Sequence, residues 1–210
     1  MKRIFQFLAL TLLALVASFS SYGQTTEEIL ARMNAEIDRI DTEGFYMVME
    51  MKIPLLGTTP AKIYSNGKKS KMEIVSKDRN SIIWLDGNTS YEYDAVKNEI
   101  TITNGANPES SDADKVEMFS NVTEGYTVKL RKETEDAWYF RCKKTKDNPE
   151  KDDPKTMDLT VSKKTYLPLS LQASASIVTI TLRDLALGVP ESQVTFNPAD
   201  YPTATIIDKR

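Results

Sequence analysis

The stretch SIIWLDGNTSYEYDAVKNEITIT, residues 81–103, decides the fold. Its apolar residues recur at every second position in three short runs, and the runs are separated by Asp86-Gly87 and by Lys97-Asn98. Alternation with a period of two indicates β-strands, and Asp-Gly supplies the positive φ that a tight hairpin turn requires. The stretch therefore predicts a meander of three antiparallel strands, with one face in water and the other covered.

Short strands and tight turns continue on both sides of this meander. The same alternation predicts a long strand from Phe45, strands at residues 62–66, 69–75, 126–131, 137–143, 156–162, 166–173 and 177–184, and a last short strand with Val194 and Phe196. Neighbouring strands that are joined by such short turns are antiparallel. We therefore expect a mainly β fold of the α+β class, with about 11 strands in one domain.

Residues 1–23 have the pattern of a secretory signal peptide. Basic residues precede an apolar run that is too short for a stable membrane span, and small residues follow at Ser21 and Gly23. Cleavage there leaves Gln24 as the first residue of a domain over residues 24–210. Because no cysteine lies near the cleavage point, a thiol-linked lipid anchor has no attachment site, and we expect a soluble exported protein.

The composition argues against several classes of protein. The chain has 210 residues, a formal net charge of −3 and no histidine, which removes Ser-His-Asp and Cys-His catalysis and imidazole metal sites. Glycine-rich phosphate-binding motifs and CxxC are also absent from the sequence, and scattered lysines on an acidic chain argue against a nucleic-acid partner. The single cysteine, Cys142, shares an alternating face with Trp138 and Phe140, which predicts a buried thiol. We expect no enzyme, no cofactor and no metal site.

The segment TTEEILARMNAEIDRI, residues 25–40, predicts an amphipathic helix. Thr25 and Glu28 fit a capping box. The apolar residues recur at spacings of three and four: Leu30, Met33, Ile37 and Ile40. A helix with one apolar stripe must pack on another apolar surface, so it should lie on the sheet. A second, short helix is predicted at residues 116–122.

Methionines mark one face of the first long strand. After Gly44 the hydrophobic period is two, and the shared face carries Phe45, Met47, Met49, Met51 and Ile53. Strands favour β-branched and aromatic residues, so three successive methionines on one face are unusual. The face forms either an ordinary core strand or a pocket wall, because methionine is flexible and polarisable and accepts ligands of varied shape. Two adjacent leucines, Leu55 and Leu56, follow in a predicted loop.

Positive charge is concentrated just after this strand. The basic residues are Lys62, Lys68, Lys69, Lys71, Lys77 and Arg79. They form either a solvated face that protects a sheet edge or a docking patch for an acidic partner or anionic lipid head groups.

Three stretches, in this order, resemble the LolA-like proteins, the periplasmic family of outer-membrane lipoprotein carriers. The meander at 81–103 contains the segment D-G-x-x-x-Y-x-Y-D, and TVSKKTYLPLSLQ at 160–172 is similar to a strand and turn followed by Leu-Pro-Leu. The segment LRDLALGVPESQVTFNPADYP at 182–202 is similar to the closing segment of the family, where a loop ends in Val-Pro. With the N-terminal helix, the resemblance spans nearly all of residues 25–202.

The resemblance implies a LolA-like incomplete antiparallel β-barrel with helices covering its concave apolar face. It implies a monomeric periplasmic carrier that shelters the acyl chains of lipoproteins or other lipids, with an inner-membrane donor and an outer-membrane acceptor protein as partners. Family members place an arginine-proline pair just after the first long strand, where the arginine helps to latch the helical lid. Residues 58–74 of this chain contain Pro60 but no arginine, so latching by that route is not expected.

The candidate cavity residues come from the predicted helix, the methionine strand and the meander. They are Leu30, Met33, Ile37, Met47, Met49, Met51, Ile53, Ile83, Leu85, Ile100 and Ile102. The alternation alone leaves open which face of each strand is concave. An alternative function on the same scaffold is a lipid-responsive sensor or protein-interaction domain, because a fold does not determine a function.

Overall fold

The computed structural model of the chain describes residues 24–76, 80–105, 122–148 and 153–210. The predicted signal peptide and most of the short helix predicted at 116–122 lie outside these ranges. Within them, the strands are β1 (Phe45–Ile53), β2 (Gly57–Asn66), β3 (Lys69–Val75), β4 (Asn80–Asp86), β5 (Thr89–Asp94), β6 (Glu99–Asn104), β7 (Tyr126–Glu133), β8 (Ala137–Lys144), β9 (Thr156–Ser162), β10 (Pro168–Ala175), β11 (Val178–Leu187) and β12 (Thr205–Asp208).

The twelve strands described form one open sheet in the order β12-β6-β5-β4-β3-β2-β1-β11-β10-β9-β8-β7. Strands β1 to β6 and β7 to β11 are two antiparallel meanders, which join where β1 pairs with β11. The sheet does not close, so β12 and β7 form its edges. The predicted incomplete barrel of LolA-like architecture is confirmed.

The C-terminal segment differs from the prediction. The strand predicted at Val194 and Phe196 is wrong, because Val194 ends a short helix, α3 (Glu191–Val194), and Phe196 lies outside regular structure. Pro190 precedes this helix in an extended conformation, and the Thr195 hydroxyl closes the turn by donating to the carbonyl oxygen of Glu191 at 2.9 Å. The last strand is instead β12, which follows a 3₁₀ turn and pairs in parallel with β6.

The N-terminal helix is α1 (Thr26–Ile37), and a single turn, α2 (Ile40–Glu43), follows it. Its predicted capping box is confirmed: the backbone N–H of Glu28 donates to Thr25 Oγ1 at 3.2 Å, and the N–H of Thr25 donates to Glu28 Oε2 at 3.0 Å. Gly44 then redirects the chain into β1 with a φ of 68°. A Cβ there would lie only 2.6 Å from the carbonyl oxygen of Ser65, so the position requires glycine.

The core lies between α1 and the half of the sheet that contains β1 and β8 to β11. From the helix it contains Ile29, Met33 and Ile37, and from the strands it includes Phe45, Met47, Phe140, Cys142, Leu159, Val161, Leu171 and Leu182. Cys142 is fully buried, as its alternation with Trp138 and Phe140 predicts. The buried stripe of the helix contains Ile29, whereas Leu30 is only half-buried at its margin.

The register places apolar residues of the β1–β6 half on both faces of the sheet. Residues that are directly opposite on paired strands share a face, so the inner face, which also carries Met47, holds Ile63, Met72 and Ile83. The outer face of the same strands carries Trp84, Tyr91, Tyr93, Ile100 and Ile102. Phe196 and Tyr201 of the C-terminal segment cover it, with the Phe196 ring stacked on Tyr91 at 4.4 Å between centroids.

Candidate functional site

A cavity of about 160 Å³ lies on the inner face of β1 to β4. Its lining residues are Phe45, Met47, Met49, Ile63, Ser70, Lys71, Met72, Ile83 and Leu85. The strand register builds one wall, because Met47 is opposite Ile63, Ile63 is opposite Met72, and Met72 is opposite Ile83. The result is an almost entirely apolar site that is suited to a hydrocarbon ligand.

The structure brings four of the predicted residues together at this cavity: Met47, Met49, Ile83 and Leu85. Met51 and Ile53 continue along the same face of β1 beyond the cavity. Leu30, Met33 and Ile37 of α1 are not among the lining residues, because Met33 and Ile37 are buried in the core and Leu30 packs against that core.

Ile100 and Ile102 do not belong with the cavity set. They are opposite Tyr93 and Tyr91, and these tyrosines are opposite Ile82 and Trp84. All of these residues therefore lie on the outer face, whereas Ile83 and Leu85 lie on the inner face. The grouping of the two isoleucines with the cavity residues is corrected by this register, and Ile100 is fully buried there.

Ile63 and Met72 line the cavity but were missed as site residues. The turn at Gly67-Lys68 is a two-residue turn, and it places Asn66 opposite Lys69. Counting outward from that turn puts Ile63 opposite Met72. A turn centred on Asn66-Gly67, as the Asn-Gly signal predicts, would instead put Ile63 opposite Ser70, but it would still place Ile63 and Met72 on the same face.

The methionine face becomes more exposed along β1. Met47 is 2% exposed, Met49 is half-buried in the cavity wall, and Met51 is 38% exposed. Leu55 and Leu56 follow in the next turn and are the most exposed large apolar residues of the described chain. The core-strand and pocket-wall interpretations therefore apply to different positions of the same strand.

Polar contacts hold α1 at the end away from the cavity. Arg32 Nη1 donates to Tyr166 Oη at 3.0 Å, and its guanidinium lies 5.1 Å from the centroid of the same ring. The Tyr166 hydroxyl donates in turn to Gln24 Oε1 at 3.0 Å. The buried Oδ1 of Asn34 has no hydrogen-bond partner among the described residues. An arginine of α1 itself thus ties the helix to the β9–β10 connection.

Two lysines of the basic region after β1, Lys69 and Lys71, form ion pairs. Lys69 pairs with Glu191 at 2.9 Å and with Asp86 at 3.5 Å, and the hydrogen bond between Lys69 and Glu191 raises the pKa of the ammonium and lowers that of the carboxyl. Lys71 turns its ammonium to the outer face, where it pairs with Glu73 at 2.6 Å. Positive charge therefore does not enter the cavity from these lysines. Two further members of the region, Lys77 and Arg79, lie outside the described residues.

No cluster of three or more His, Cys, Asp or Glu side chains in the described ranges could hold a metal ion. The helices described there are too short or too polar to cross a bilayer.

The cavity is small for the ligand that its chemistry suits. Apolar cavities of about 150 Å³ accept a molecule the size of benzene. An acyl chain of about fifteen methylenes needs more than twice the volume of such a molecule. Binding a whole chain therefore requires the cavity to enlarge.

No protein-family model matches the chain, and no curated protein matches its sequence. Its structure is similar to that of LprF from Mycobacterium bovis, at 12% identity and a TM-score of 0.50 over 84% of this chain and 99% of that one. It is also similar to a LolA superfamily protein from Nitrosomonas europaea, at 13% identity and a TM-score of 0.32 over 83% and 99% of the two chains. MucB of the Pseudomonas aeruginosa MucA/MucB complex matches at 12% identity and a TM-score of 0.47, over 80% of this chain and 60% of MucB. The chain shares the fold of LprF, and its open, mainly antiparallel sheet has LolA-like architecture.

Proposed function

We propose that the chain is a periplasmic carrier that binds the acyl chains of lipoproteins or other lipids in the cavity of β1 to β4, for transfer toward the outer membrane. The observation that carries the proposal is the apolar cavity on the helix-covered face of a LolA-like sheet. The lining methionines Met47, Met49 and Met72 support it, because flexible thioether side chains adapt to acyl chains of different length.

The energetics explain why such a carrier is needed and why its cavity should recover only part of the free energy of transfer of the acyl chain. Hiding a chain of about fifteen methylenes from water is worth roughly 0.8 kcal/mol each, or about 12 kcal/mol in total. Passage of a free chain through water is therefore prohibitive. A carrier that captured all of this free energy would not release its cargo, and a site that must enlarge on loading retains only part of it.

Met49→Glu tests the proposal. Met49 is half-buried at the cavity, so its carboxylate can turn toward the open side, and we expect binding of an apolar dye or a long-chain fatty acid to be lost with a modest fall in stability. Met47→Glu is the matched control, because Met47 is 2% exposed and a carboxylate buried there costs several kcal/mol. Met49→Leu conserves volume and should keep both stability and binding.

Two outcomes would reject the carrier. The proposal fails if the wild-type protein shows no saturable site for the dye while folded, or if Met49→Glu keeps full dye binding. Mass spectrometry of protein purified from the periplasm, with its natural processing intact, adds an independent measurement: co-purifying lipid supports the carrier. Lipid-free protein that captures a membrane protein supports the sensor or interaction domain instead.

A further inference from the structure

Two hairpin tips lie side by side at one rim of the sheet. Because β1 pairs with β11, Met51 is opposite Ile180, and the β1–β2 and β10–β11 turns extend from neighbouring strands. Leu55 at the first tip is fully exposed, Leu56 is 82% exposed, and Ile177 at the second tip is 65% exposed. Gly, Asn, Asp and Ser are the usual residues of such turns, so a cluster of large apolar side chains here is not explained by turn formation.

These tips are almost free of charge. Residues 51–60 and 173–182 contain a single charged side chain, Lys52, and no acidic residue. At the 27% charged content of the whole chain, about five charges would be expected among twenty residues. Charged groups are excluded from a hydrocarbon environment, except that a lysine can extend its ammonium to the polar boundary. Apolar tips with one lysine therefore match a lipid surface.

The same rim carries positive charge further along the sheet. The register aligns Met51, Ile180, Ala173, Met157 and Cys142 in one row across β1, β11, β10, β9 and β8. The end of β8 thus reaches the rim four strand spacings from β1, at about 19 Å. Exposed basic residues gather there and on the outer face behind it: Lys129, Arg131, Arg141, Lys143 and Lys146. Acidic groups lie beside the cluster: Arg141 pairs with Asp158, and Asp147 and Asp153 belong to the β8–β9 connection. The five basic groups of the cluster still outnumber these three acidic ones.

We propose that this rim docks on an anionic phospholipid bilayer, with Leu55, Leu56 and Ile177 inserted and the basic cluster facing the head groups. Fully exposed tips present no concave surface that a folded protein partner could fill, whereas they fit a deformable lipid surface. The inner face of β1 then forms an apolar path from the membrane to the cavity through Ile53 and Met51 to Met49. Docking on the bilayer does not depend on the proposed carrier function. Only the role of this path, which is to lead an acyl chain to the cavity, rests on the proposed carrier function.

The test measures partition of the full chain, naturally processed, onto vesicles of phosphatidylcholine with and without phosphatidylglycerol. We expect binding to the anionic vesicles, and Leu55→Ser with Leu56→Ser should lower the partition coefficient about a hundredfold, because each buried leucine contributes about one factor of ten. Leu169→Ser is the matched control, since Leu169 is 44% exposed near the opposite rim, and it should bind as the wild type does. Lys52→Gln should reduce binding to anionic vesicles about fivefold.

A tryptophan at the tip reports the insertion directly. Leu55→Trp should shift its emission to shorter wavelength on vesicles and be quenched by brominated acyl chains. The native Trp84 and Trp138 are buried and provide a constant background. Unchanged partition of the double leucine variant, no binding of the wild type, or an unshifted Leu55→Trp spectrum would each overturn the docking proposal.

The two proposals fail separately. The double leucine variant should keep its saturable dye site in solution, and Met49→Glu should still dock on vesicles. Loss of dye binding in Met49→Glu with normal docking supports both proposals. Wild-type protein that docks but has no dye site rejects the carrier alone, whereas a normal dye site without docking rejects the membrane rim alone.

Discussion

Substituting Phe for Ile at position 83 and at position 100 should shift stability in opposite directions. Both are isoleucines of the same meander, but Ile83 faces the cavity of about 160 Å³ on the inner face, whereas Ile100 is fully buried on the outer face. Ile→Phe adds three carbon atoms. At position 83 these atoms can occupy existing space, and at about 0.8 kcal/mol per buried carbon the gain is at most about 2.4 kcal/mol. At position 100 the side chain is fully enclosed, and overpacking costs about 1 to 3 kcal/mol.

Urea unfolding and titration with an apolar dye measure the two effects. Ile83→Phe should raise the free energy of unfolding and weaken dye binding, because the ring takes the space of the ligand. Ile100→Phe should lower the free energy of unfolding and leave the dye affinity unchanged. For a domain of this size, each kcal/mol moves Tm by about 2 to 4 °C, so the difference is measurable. If both variants are destabilised alike, the inner face has no spare room and the cavity assignment is refuted.

Three further predictions concern the contacts around the site. Phe196→Ala removes a half-buried ring that is stacked on Tyr91, and urea unfolding should show a free energy of unfolding that is lower by about 2 to 3 kcal/mol. The affinity for the dye should stay constant, because the ring lies on the outer face. A variant that keeps full stability but loses dye binding would contradict the separation of the two faces. Tyr166→Phe removes the acceptor of Arg32, so stopped-flow dye association should accelerate if α1 must move for loading; an unchanged rate places the entrance elsewhere. Burial raises the pKa of the Cys142 thiol from 9.0 to about 11, so the thiol loses its proton at a lower pH in the unfolded state than in the folded state. The free energy of unfolding of the wild type should therefore fall more steeply between pH 9 and 11 than that of Cys142→Ala. The native thiol should also resist a thiol-reactive dye at pH 8, and rapid labelling of folded protein would contradict its burial.

Local signals in the sequence were sufficient for most of the sheet. The turns after Asn66 and Asp86 are two-residue turns, and alternation on either side of them predicts β2 to β5. These turns also fix the register: counting outward from Gly87-Asn88 puts Trp84 opposite Tyr91 and Ile83 opposite Glu92. The separation of the two faces was therefore present in the sequence, but grouping residues by hydrophobicity alone did not use it.

The outer face misled the prediction for a physical reason. One wet face was expected for the meander, whereas the C-terminal segment covers this face with Phe196 and Tyr201. Both alternation sets are consequently apolar around Trp84, and hydrophobicity cannot tell a cavity wall from a covered outer face. The residues that cover the outer face lie about a hundred positions away in the sequence, so the local pattern of the meander does not predict that this face is covered.

Strand β12 was missed because it has no local signal. It contains four residues, TIID, and its partner β6 lies about a hundred residues earlier. A parallel pair cannot be joined by a short turn, so none of the hairpin signals that identify the other strands applies. Because β12 lies at the edge of the sheet, Ile206 is exposed. The strand therefore does not have the alternation of buried and exposed residues that is typical of the other strands.

The inner face has a packed half beneath α1 and a yielding half around the cavity, where side chains are less tightly enclosed. This difference determines where the cavity can enlarge. Between α1 and the sheet, Met33 of the helix and Phe140 and Val161 of the strands are fully buried, and moving them would break many close contacts. Around the cavity, Met72 and Ile83 are only half-buried, so their side chains lose few contacts when they change rotamer. An acyl chain that enters past the exposed end of β1 would meet the yielding half first. Loading can therefore expand the site while the packed half keeps the domain folded.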